Sequence, residues 1–313
     1  MRSPPNDGRA RRERFDVKAR LLGSGVATGV PTWNDGSEAA RKARALEADH
    51  PRRLGACLAV SADGVRYSIL EAPFHLASTL ANEPLFAPPE GSRAVPIDSL
   101  ILTSGDLDAC GGALALRSGL AIRIASSADL RRDLLDHDAA FVTLEPLWTG
   151  LGWDRPFVLD RDEILEARLF PLPGPVPDHL RDRATGTGRA RAGVRITDRR
   201  SGRRLVWAPR IGNLDSATLA ELREADVRFV DGTCYAADEA RRLRPGARSS
   251  VELGHVPIDG PDGSLAVLAG MSGRSVYVGL AASNPLANDA AKERARIVEA
   301  GASVASDGLE VEI

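Results

Sequence analysis

The loop Thr103–Gly112 holds the residues of this chain whose types and spacing could most readily do chemistry. It reads T-S-G-D-L-D-A-C-G-G and follows the apolar run Ser99–Leu102. A buried strand that ends in a loop with two carboxylates, here Asp106 and Asp108, is a common setting for a metal ion. The loop has no histidine. It is therefore a metal site with unusual ligands, a site that has lost its metal, or an ordinary loop in which aspartate accepts backbone N–H groups.

Two later stretches could bring further ligands to the same place. Asp231 lies in V-D-G-T, and His255 lies in L-G-H-V-P. With Asp106 and Asp108 they make three carboxylates and one imidazole, a donor set that suits Fe²⁺, Mn²⁺ or Zn²⁺. The simpler interpretations are a turn aspartate and a loop histidine with a satisfied hydrogen bond. Without a cation, carboxylates this close together would raise one another's pKa or turn toward solvent.

The cysteines predict reduced thiols. Cys57, Cys110 and Cys234 are widely spaced, and no C-x-x-C pair is present to close a structural zinc site. An odd number of cysteines without a secretory signal is typical of a cytoplasmic protein. Cys57 lies in an apolar run and is expected in the core. Cys110 and Cys234 follow the two carboxylate motifs, so they are either a soft metal site, a reactive thiol, or two small buried residues.

The composition is that of a soluble globular protein and argues against several partners. Of 313 residues, 43% are hydrophobic and 27% are charged. The net charge of −2 provides no cationic field for nucleic acid or an anionic membrane, and aromatics at 4% are few for base stacking. No apolar stretch approaches the roughly 20 residues that span a bilayer. We expect residues 1–16 to be a disordered tail and residues 17–313 to form a single domain.

Hydrophobic patterning then gives the elements that must position these groups. Hairpins open the chain, and strands alternate with helices afterwards. This order predicts an α/β chain with mixed sheets, sheet packed on sheet with helices outside. Long, Pro-rich and unpatterned, Phe170–Gly188 has the character of a lid loop. The expected strands are Val17–Leu22, Ala56–Ser61, Arg66–Glu71, Ser99–Thr103, Ala121–Ala125, Gly193–Asp198, Arg204–Ala208, Val227–Val230 and Ser275–Leu280, with two short ones at the end. The expected helices are Glu38–Ala48, His75–Ala81, Gly111–Arg117, Ser216–Glu224 and Asn288–Ala300.

Six ordered motifs resemble those of one known family. The chain resembles the pyrroloquinoline quinone (PQQ) biosynthesis protein B (PqqB) family, within the metallo-β-lactamase fold superfamily. The resemblance runs from about residue 17 to 313. It implies an αββα sandwich, two mixed β-sheets flanked by helices, with the active site along one edge. The motifs are Leu21–Asn34, Leu58–Gly64, Val230–Thr233, Leu253–Pro257, Ser283–Pro285 and the closing S-D-G-L-E-V-E-I.

The loop that would bind the metal differs from the motif of the superfamily and from that of the PqqB family. The superfamily motif is T-H-x-H-x-D-H, and the PqqB family itself shows T-D-x-Q-x-D-H. Here Ser104 and Asp106 stand at the first two histidine positions, Asp108 at the aspartate, and Ala109 at the last histidine. The resemblance makes Asp231 the bridging carboxylate and His255 a family histidine. Gly279 stands where the family shows a further histidine.

A second metal-binding motif of the family, a structural zinc site, also differs in this chain. Four further residues are expected to bind the substrate. The family's structural zinc motif W-N-C-x-C reads W-N-D-G-S here, which leaves Asp35 and Ser37 in the cysteine positions. His75 replaces a family carboxylate near the site, and His179 lies in the Pro-rich loop that reaches over the pocket. The expected substrate-binding residues are His75, His179, Trp33 and Asn284.

These observations leave two main hypotheses. In the first, the chain is a divergent PqqB-like protein with no metal and no cofactor, a pseudoenzyme that binds substrate or assists in PQQ-type, peptide-derived cofactor biosynthesis. In the second, it is a non-haem iron (or zinc) enzyme that hydroxylates a tyrosine-type side chain with a thinned ligand set, completed by His75 or His179. Asp108, Asp231 and His255 are the expected catalytic residues if the chain is active, and Asp106 joins them as a metal ligand in the second hypothesis. Metal-free catalysis by an aspartate or cysteine lacks a visible base–nucleophile pair.

The expected partners follow from the first hypothesis. They are a small-molecule or peptide-derived substrate and other biosynthetic proteins, with no nucleic acid and no membrane. A homodimer is the default expectation for the oligomeric state.

Overall fold

Two stacked β-sheets form the centre of the molecule. The structure is a computed structural model that describes residues 17–117, 122–181, 190–243 and 245–313, so the predicted tail 1–16 lies outside the described residues. In chain order, the described strands β1 to β14 are Lys18–Gly23, Cys57–Ser61, Tyr67–Leu70, Ile97–Ile101, Arg123–Ser127, Trp148–Leu151, Pro156–Val158, Leu165–Pro171, Ala192–Asp198, Arg204–Ala208, Val227–Asp231, Arg274–Val278, Ala302–Val304 and Glu310–Glu312.

Each sheet has an antiparallel half and a parallel half. The first sheet has the order β14-β1-β2-β3-β4-β5-β6, and the second has the order β13-β12-β11-β10-β9-β8-β7. Strands β14 to β3 pair antiparallel and β3 to β6 pair parallel. In the second sheet β7 to β10 pair antiparallel and β10 to β13 pair parallel. The carboxyl ends of parallel strands are where open sheets place their ligand sites.

Three apolar layers hold the sandwich together. Between the sheets, Leu21 and Leu58 of the first sheet share a core with Trp207 and Phe229 of the second. A second cluster fills the outer face of the first sheet, and a third fills the outer face of the second. This layering confirms the predicted αββα sandwich, because each sheet buries both of its faces.

Short helices cover the two outer faces. The helices α1 to α8 are Glu38–Arg44, Leu76–Asn82, Leu107–Cys110, Ala128–His137, Ser216–Arg223, Glu239–Leu243, Ser264–Leu268 and Glu293–Glu299. The 3₁₀ helices are Pro84–Phe86, Gly111–Arg117, Phe141–Leu147, Asp178–Leu180 and Pro285–Ala287. Among the helices described, none is both long enough and apolar enough to cross a bilayer.

Most predicted elements are confirmed, and the differences have local causes. The hairpin predictions hold, because β2 pairs with β3 and β9 pairs with β10 in antiparallel register. The predicted helix Glu38–Ala48 ends earlier because Leu46 adopts a positive φ of 58°. The predicted helix Asn288–Ala300 starts only at Glu293, since the Asn288 side chain accepts the backbone N–H of Ala290 and forms a local turn instead.

Three further expectations need correction. The predicted helix Gly111–Arg117 is a 3₁₀ helix that continues from α3. The predicted loop Phe170–Gly188 begins inside β8 and contains a short 3₁₀ helix, and its residues 182–189 lie outside the described part. The two closing strands belong to different sheets, because β13 forms an edge of the second and β14 an edge of the first.

Gly23, the last residue of β1, provides a test of this packing. A Cβ on Gly23 would collide with the backbone carbonyl of Gly55, whereas a Cβ on Gly36 would meet nothing within 4 Å. We predict that Gly23→Ala lowers the free energy of unfolding by about 1–3 kcal/mol, because backbone must shift to admit the methyl group. Gly36→Ala should stay within about 0.5 kcal/mol of the wild type in the same urea titration. Equal stability of the two variants would contradict this packing.

Candidate functional site

An open cavity of about 470 Å³ lies at the edge where the parallel strands end. Loops after β4, β10, β11 and β12 line one part of it, and the segment Pro175–Pro177 lines another. The volume is within the usual range for a small-molecule site. The carboxylate motif found in the sequence opens into this cavity, because both Asp106 and Asp108 are in its wall.

Asp231 and His255 form a hydrogen-bonded pair beside the cavity. His255 Nδ1 lies 2.7 Å from Asp231 Oδ2. The same carboxylate accepts the backbone N–H of Ile211 at 2.8 Å and that of Thr233 at 3.0 Å. Burial alone would raise the pKa of Asp231, but His255 and these backbone donors outweigh it and lower that pKa. Asp231 is thus both the predicted turn residue and the partner that orients His255.

A buried arginine at the end of β10 lies among the acidic groups. Arg210 donates from Nη1 to Glu71 Oε1 at 3.2 Å, and its Nε is 3.8 Å from Asp106 Oδ2. Glu71 also accepts the hydroxyl of Thr103. The Arg210 side chain is 11% exposed and that of Glu71 is fully buried. The guanidinium of Arg210, which follows a strand of the second sheet, therefore neutralises the carboxylate of Glu71, which follows a strand of the first sheet.

Glu71 shows how strongly this position is constrained. It follows β3 with a φ of 75°, which a non-glycine residue adopts only when its surroundings hold it there. Burial raises the pKa of Glu71, and Arg210 and Thr103 act against that rise. Without the guanidinium, an ionised carboxylate at this depth would cost several kcal/mol. Glu71 and Arg210 are therefore mutually dependent.

A second arginine, Arg191, lies directly before β9 and contacts Asp106. Arg191 donates from Nη1 to the carbonyl of Gly254 at 2.8 Å, and its Nη2 is 3.5 Å from Asp106 Oδ2. Asp106 also accepts the hydroxyl of Ser104 at 2.8 Å. Burial alone would raise the pKa of Asp106, but Arg210 and Arg191 overcome it and lower that pKa. Asp106 thus faces two guanidinium groups.

Asp108 has no such neighbour. Within the described residues, no arginine, lysine or histidine nitrogen lies within 4 Å of its carboxylate. Burial raises its pKa, and the nearby Arg210 acts against that rise. Asp108 lies in the first turn of α3, where no side-chain cap forms. Its carboxylate is therefore a half-buried acid in the cavity wall without an ion-pair partner.

These donors do not fit the metal that the resemblance implies. In the described ranges, no three histidine, cysteine, aspartate or glutamate side chains converge to hold a metal. Asp231 and His255 bind each other, and Asp106 binds cations of the protein itself. At the other motif, Asp35 accepts the N–H of Ser37, whose hydroxyl caps α1. Asp35 and Ser37, which stand in the cysteine positions of the family's zinc motif, therefore form hydrogen bonds at the start of α1 instead.

The other predicted substrate residues are spread over the molecule. His179 lines the cavity. His75 lines a separate surface cavity, where Nε2 accepts the N–H of Gly55 at 2.6 Å and Nδ1 contacts the hydroxyl of Thr79. Trp33 is 89% exposed in the loop before α1. Asn284 is buried and donates to the carbonyl of Gly232 at 2.7 Å. The binding roles of these residues stay predictions.

Cys110 and Cys234, the two cysteines that follow the carboxylate motifs, are buried. Burial raises the pKa of Cys110 and of Cys234 well above the usual value. Both thiols are therefore protonated at neutral pH, which makes them poor nucleophiles. This favours the interpretation of two small buried residues over a reactive thiol.

Sequence reasoning missed the three residues that set the charge of the site. Glu71, Arg191 and Arg210 lie at the ends of strands, in L-E-A-P, R-A-R-A and W-A-P-R. A charged residue directly beside a buried strand is a usable signal, because such a group must find a partner at the sheet edge. None of the three residues lies in a motif with metal-ligand spacing, so motif patterns alone do not single them out.

Comparisons with known proteins agree with this architecture. A family model for the beta-lactamase superfamily domain matches residues 70–279. "Coenzyme PQQ synthesis protein B" of Ruegeria pomeroyi is 32% identical over 94% of this chain and 99% of its own. The protein of the same name from Azotobacter vinelandii is 30% identical over 94% of this chain and 99% of its own. The chain belongs to the PqqB family.

Solved structures support the family assignment. The Zn²⁺-bound PqqB from Methylobacterium extorquens has a TM-score of 0.87 and 29% identity, over 95% of this chain and all of that one. A diphosphatase of the PhnP family has a TM-score of 0.63 at 17% identity, over 95% of this chain and 97% of that one, and shows the shared fold only. This PqqB-family chain therefore has the family's architecture with arginines at the sheet edge.

The dependence between Arg210 and Glu71 can be measured. Arg210→Met should lower the free energy of unfolding by about 3–5 kcal/mol, because Glu71 would stay buried without its cation. Adding Glu71→Gln should recover about half of that loss, since the neutral amide needs no counter-charge. Urea titrations of the two single variants and the double variant give these values. Additive losses in the double variant would show that the pair is not coupled.

Proposed function

We propose that this chain acts in PQQ biosynthesis as a substrate-binding protein that needs no metal in its sheet-edge cavity. The biosynthetic part is supported by the relatives, which carry the name "Coenzyme PQQ synthesis protein B" and match almost the whole chain. The metal-free part is carried by one observation: the guanidinium of Arg210 lies between Glu71 and Asp106, where the family motif would provide ligands.

Electrostatics favours this arrangement over a bound transition metal. A divalent ion within a few ångströms of Arg210 would repel it strongly in a partly buried site. It would also have to take Asp231 away from His255 and from two backbone N–H groups. The ligands then left to turn toward an ion are Asp108 and the Nε2 atom of His255, and one carboxylate with one imidazole is fewer than the three or more protein ligands that transition-metal sites normally have.

The residues of the cavity can bind and orient a substrate. Asp231 holds His255 through Nδ1, so Nε2 is the ring nitrogen left for a ligand in the cavity. This orientation by a buried carboxylate is a usual way to fix a histidine tautomer. The segment Pro175–Pro177 also lines the cavity, and so does His179. A ligand would therefore meet imidazole and guanidinium groups together with an apolar wall.

Metal content tests the metal-free part. Protein purified without chelator should hold less than about 0.1 equivalent of iron, zinc or manganese, since imidazole ligands are too few. Inductively coupled plasma mass spectrometry gives the content directly. Near-stoichiometric iron that disappears in His255→Ala would contradict the proposal and support the tyrosine-hydroxylase hypothesis instead.

Genetics tests the biosynthetic part. Deleting the gene in its source organism should remove PQQ from the culture, as measured by mass spectrometry, and a plasmid copy should restore it. A copy with His255→Ala should restore little, because His255 lines the cavity. His137→Ala is the matched control and should restore fully, since His137 ends α4 and does not line the cavity. Unchanged PQQ in the deletion strain would refute the role.

A further inference from the structure

The two buried arginines have more N–H donors than the protein accepts. A guanidinium carries five N–H groups. Among the described residues, Arg210 makes one hydrogen bond, to Glu71, while its Nε is 3.8 Å from Asp106. Arg191 donates to the carbonyl of Gly254 and makes a long contact of 3.5 Å with Asp106, and its Nε is buried with no partner. Each of the two guanidinium groups therefore has N–H donors without a protein acceptor among the described residues.

The unpartnered N–H donors of Arg191 and Arg210 matter because both side chains are buried. Arg191 is 5% exposed and Arg210 is 9% exposed, and both line the cavity. Buried polar groups in native proteins nearly always have a partner, and an unmet donor costs about 1–3 kcal/mol. Because protein groups do not supply acceptors for all of these donors and both side chains line the cavity, a ligand bound there can supply acceptors to the Nη atoms.

We propose that Arg191 and Arg210 together bind the carboxylate of a small molecule in this cavity. The inference rests on the proposed function only in taking this cavity as the substrate site. A planar guanidinium fork matches the two oxygens of a carboxylate and binds it with charge-assisted hydrogen bonds. The position that the family motif gives to a cation would thus hold an anion in this chain.

The rest of the cavity indicates what the carboxylate is attached to. Val26, Val176 and Leu253 line it, so part of the ligand is apolar. A carboxylate bound by the two arginines would lie in the same cavity as Asp108, which has no ion-pair partner among the described residues. Asp108 repels an anion, and its neutralisation should therefore strengthen carboxylate binding.

A matched pair of ligands tests the charge requirement. We would titrate the full-length protein with 3-phenylpropionate and with its neutral isostere 3-phenylpropanamide by isothermal calorimetry. The acid should bind about tenfold or more tightly than the amide, because the amide cannot bond both guanidiniums through charged oxygens. Inorganic phosphate should bind more weakly than the acid.

Variants then assign the binding to the arginines. Arg191→Met should weaken binding of 3-phenylpropionate about tenfold or more, and Arg191→Lys should recover only part of the loss because it keeps the charge without the fork. Asp108→Asn should bind the acid about threefold to tenfold more tightly. The matched control is Arg242→Met, with an expected change below about twofold, because the Arg242 side chain is 68% exposed, is paired with Asp238 and does not line the cavity.

Each result decides the proposal. Equal affinity for acid and amide, tighter binding of phosphate, or unchanged binding in Arg191→Met with a wild-type melting temperature would overturn it. If the acid does not bind while the deletion strain lacks PQQ, the carboxylate assignment fails and the pathway assignment stands. If the acid binds as predicted while the deletion strain still makes PQQ, the cavity chemistry stands and the pathway assignment fails.

Discussion

A guanidinium buried at the edge of two stacked sheets needs a carboxylate close by, and the residues around Arg210 meet that need. Glu71 adopts a positive φ of 75° at the end of β3 and places its carboxylate 3.2 Å from Arg210 Nη1. Asp106 shares this guanidinium with Glu71 and also contacts the guanidinium of Arg191. Because removing one partner of a buried pair is far more costly than removing both, the cluster persists or is lost as a unit.

The fold explains why these charges meet. Parallel strands of both sheets end at one edge, so the loops after β3, β4, β10 and β11 converge there. A single cation that follows a strand of the second sheet, Arg210, contacts two acids that follow strands of the first sheet, Glu71 and Asp106. In a metal-binding member of the superfamily that cation is expected to be an ion, and here it is a side chain. Under the proposed carboxylate binding, the same edge is retained while its ligand preference changes from cations to anions.

The sequence predicts the sandwich well, because its hairpins, strand–helix alternation and family motifs all agree. It also brings Asp106, Asp108 and His255 to one cavity, as the strand ends require. It could not find the Arg210–Glu71 pair, because the two residues are 139 positions apart and belong to different sheets. Helix ends were misplaced where an Asn288 side chain or a left-handed Leu46 competes with helix formation. Such contacts depend on packing and local turns that periodicity does not record.

Anomalous diffraction from crystals soaked in zinc tests the account most directly, because it locates a bound ion and the Arg210 side chain in the same experiment. We predict no anomalous peak among Asp106, Asp108 and Asp231, with the Arg210 guanidinium still in contact with Glu71. A strong peak at the zinc edge, ligated jointly by Asp108 and His255 with Arg210 turned away, would contradict it.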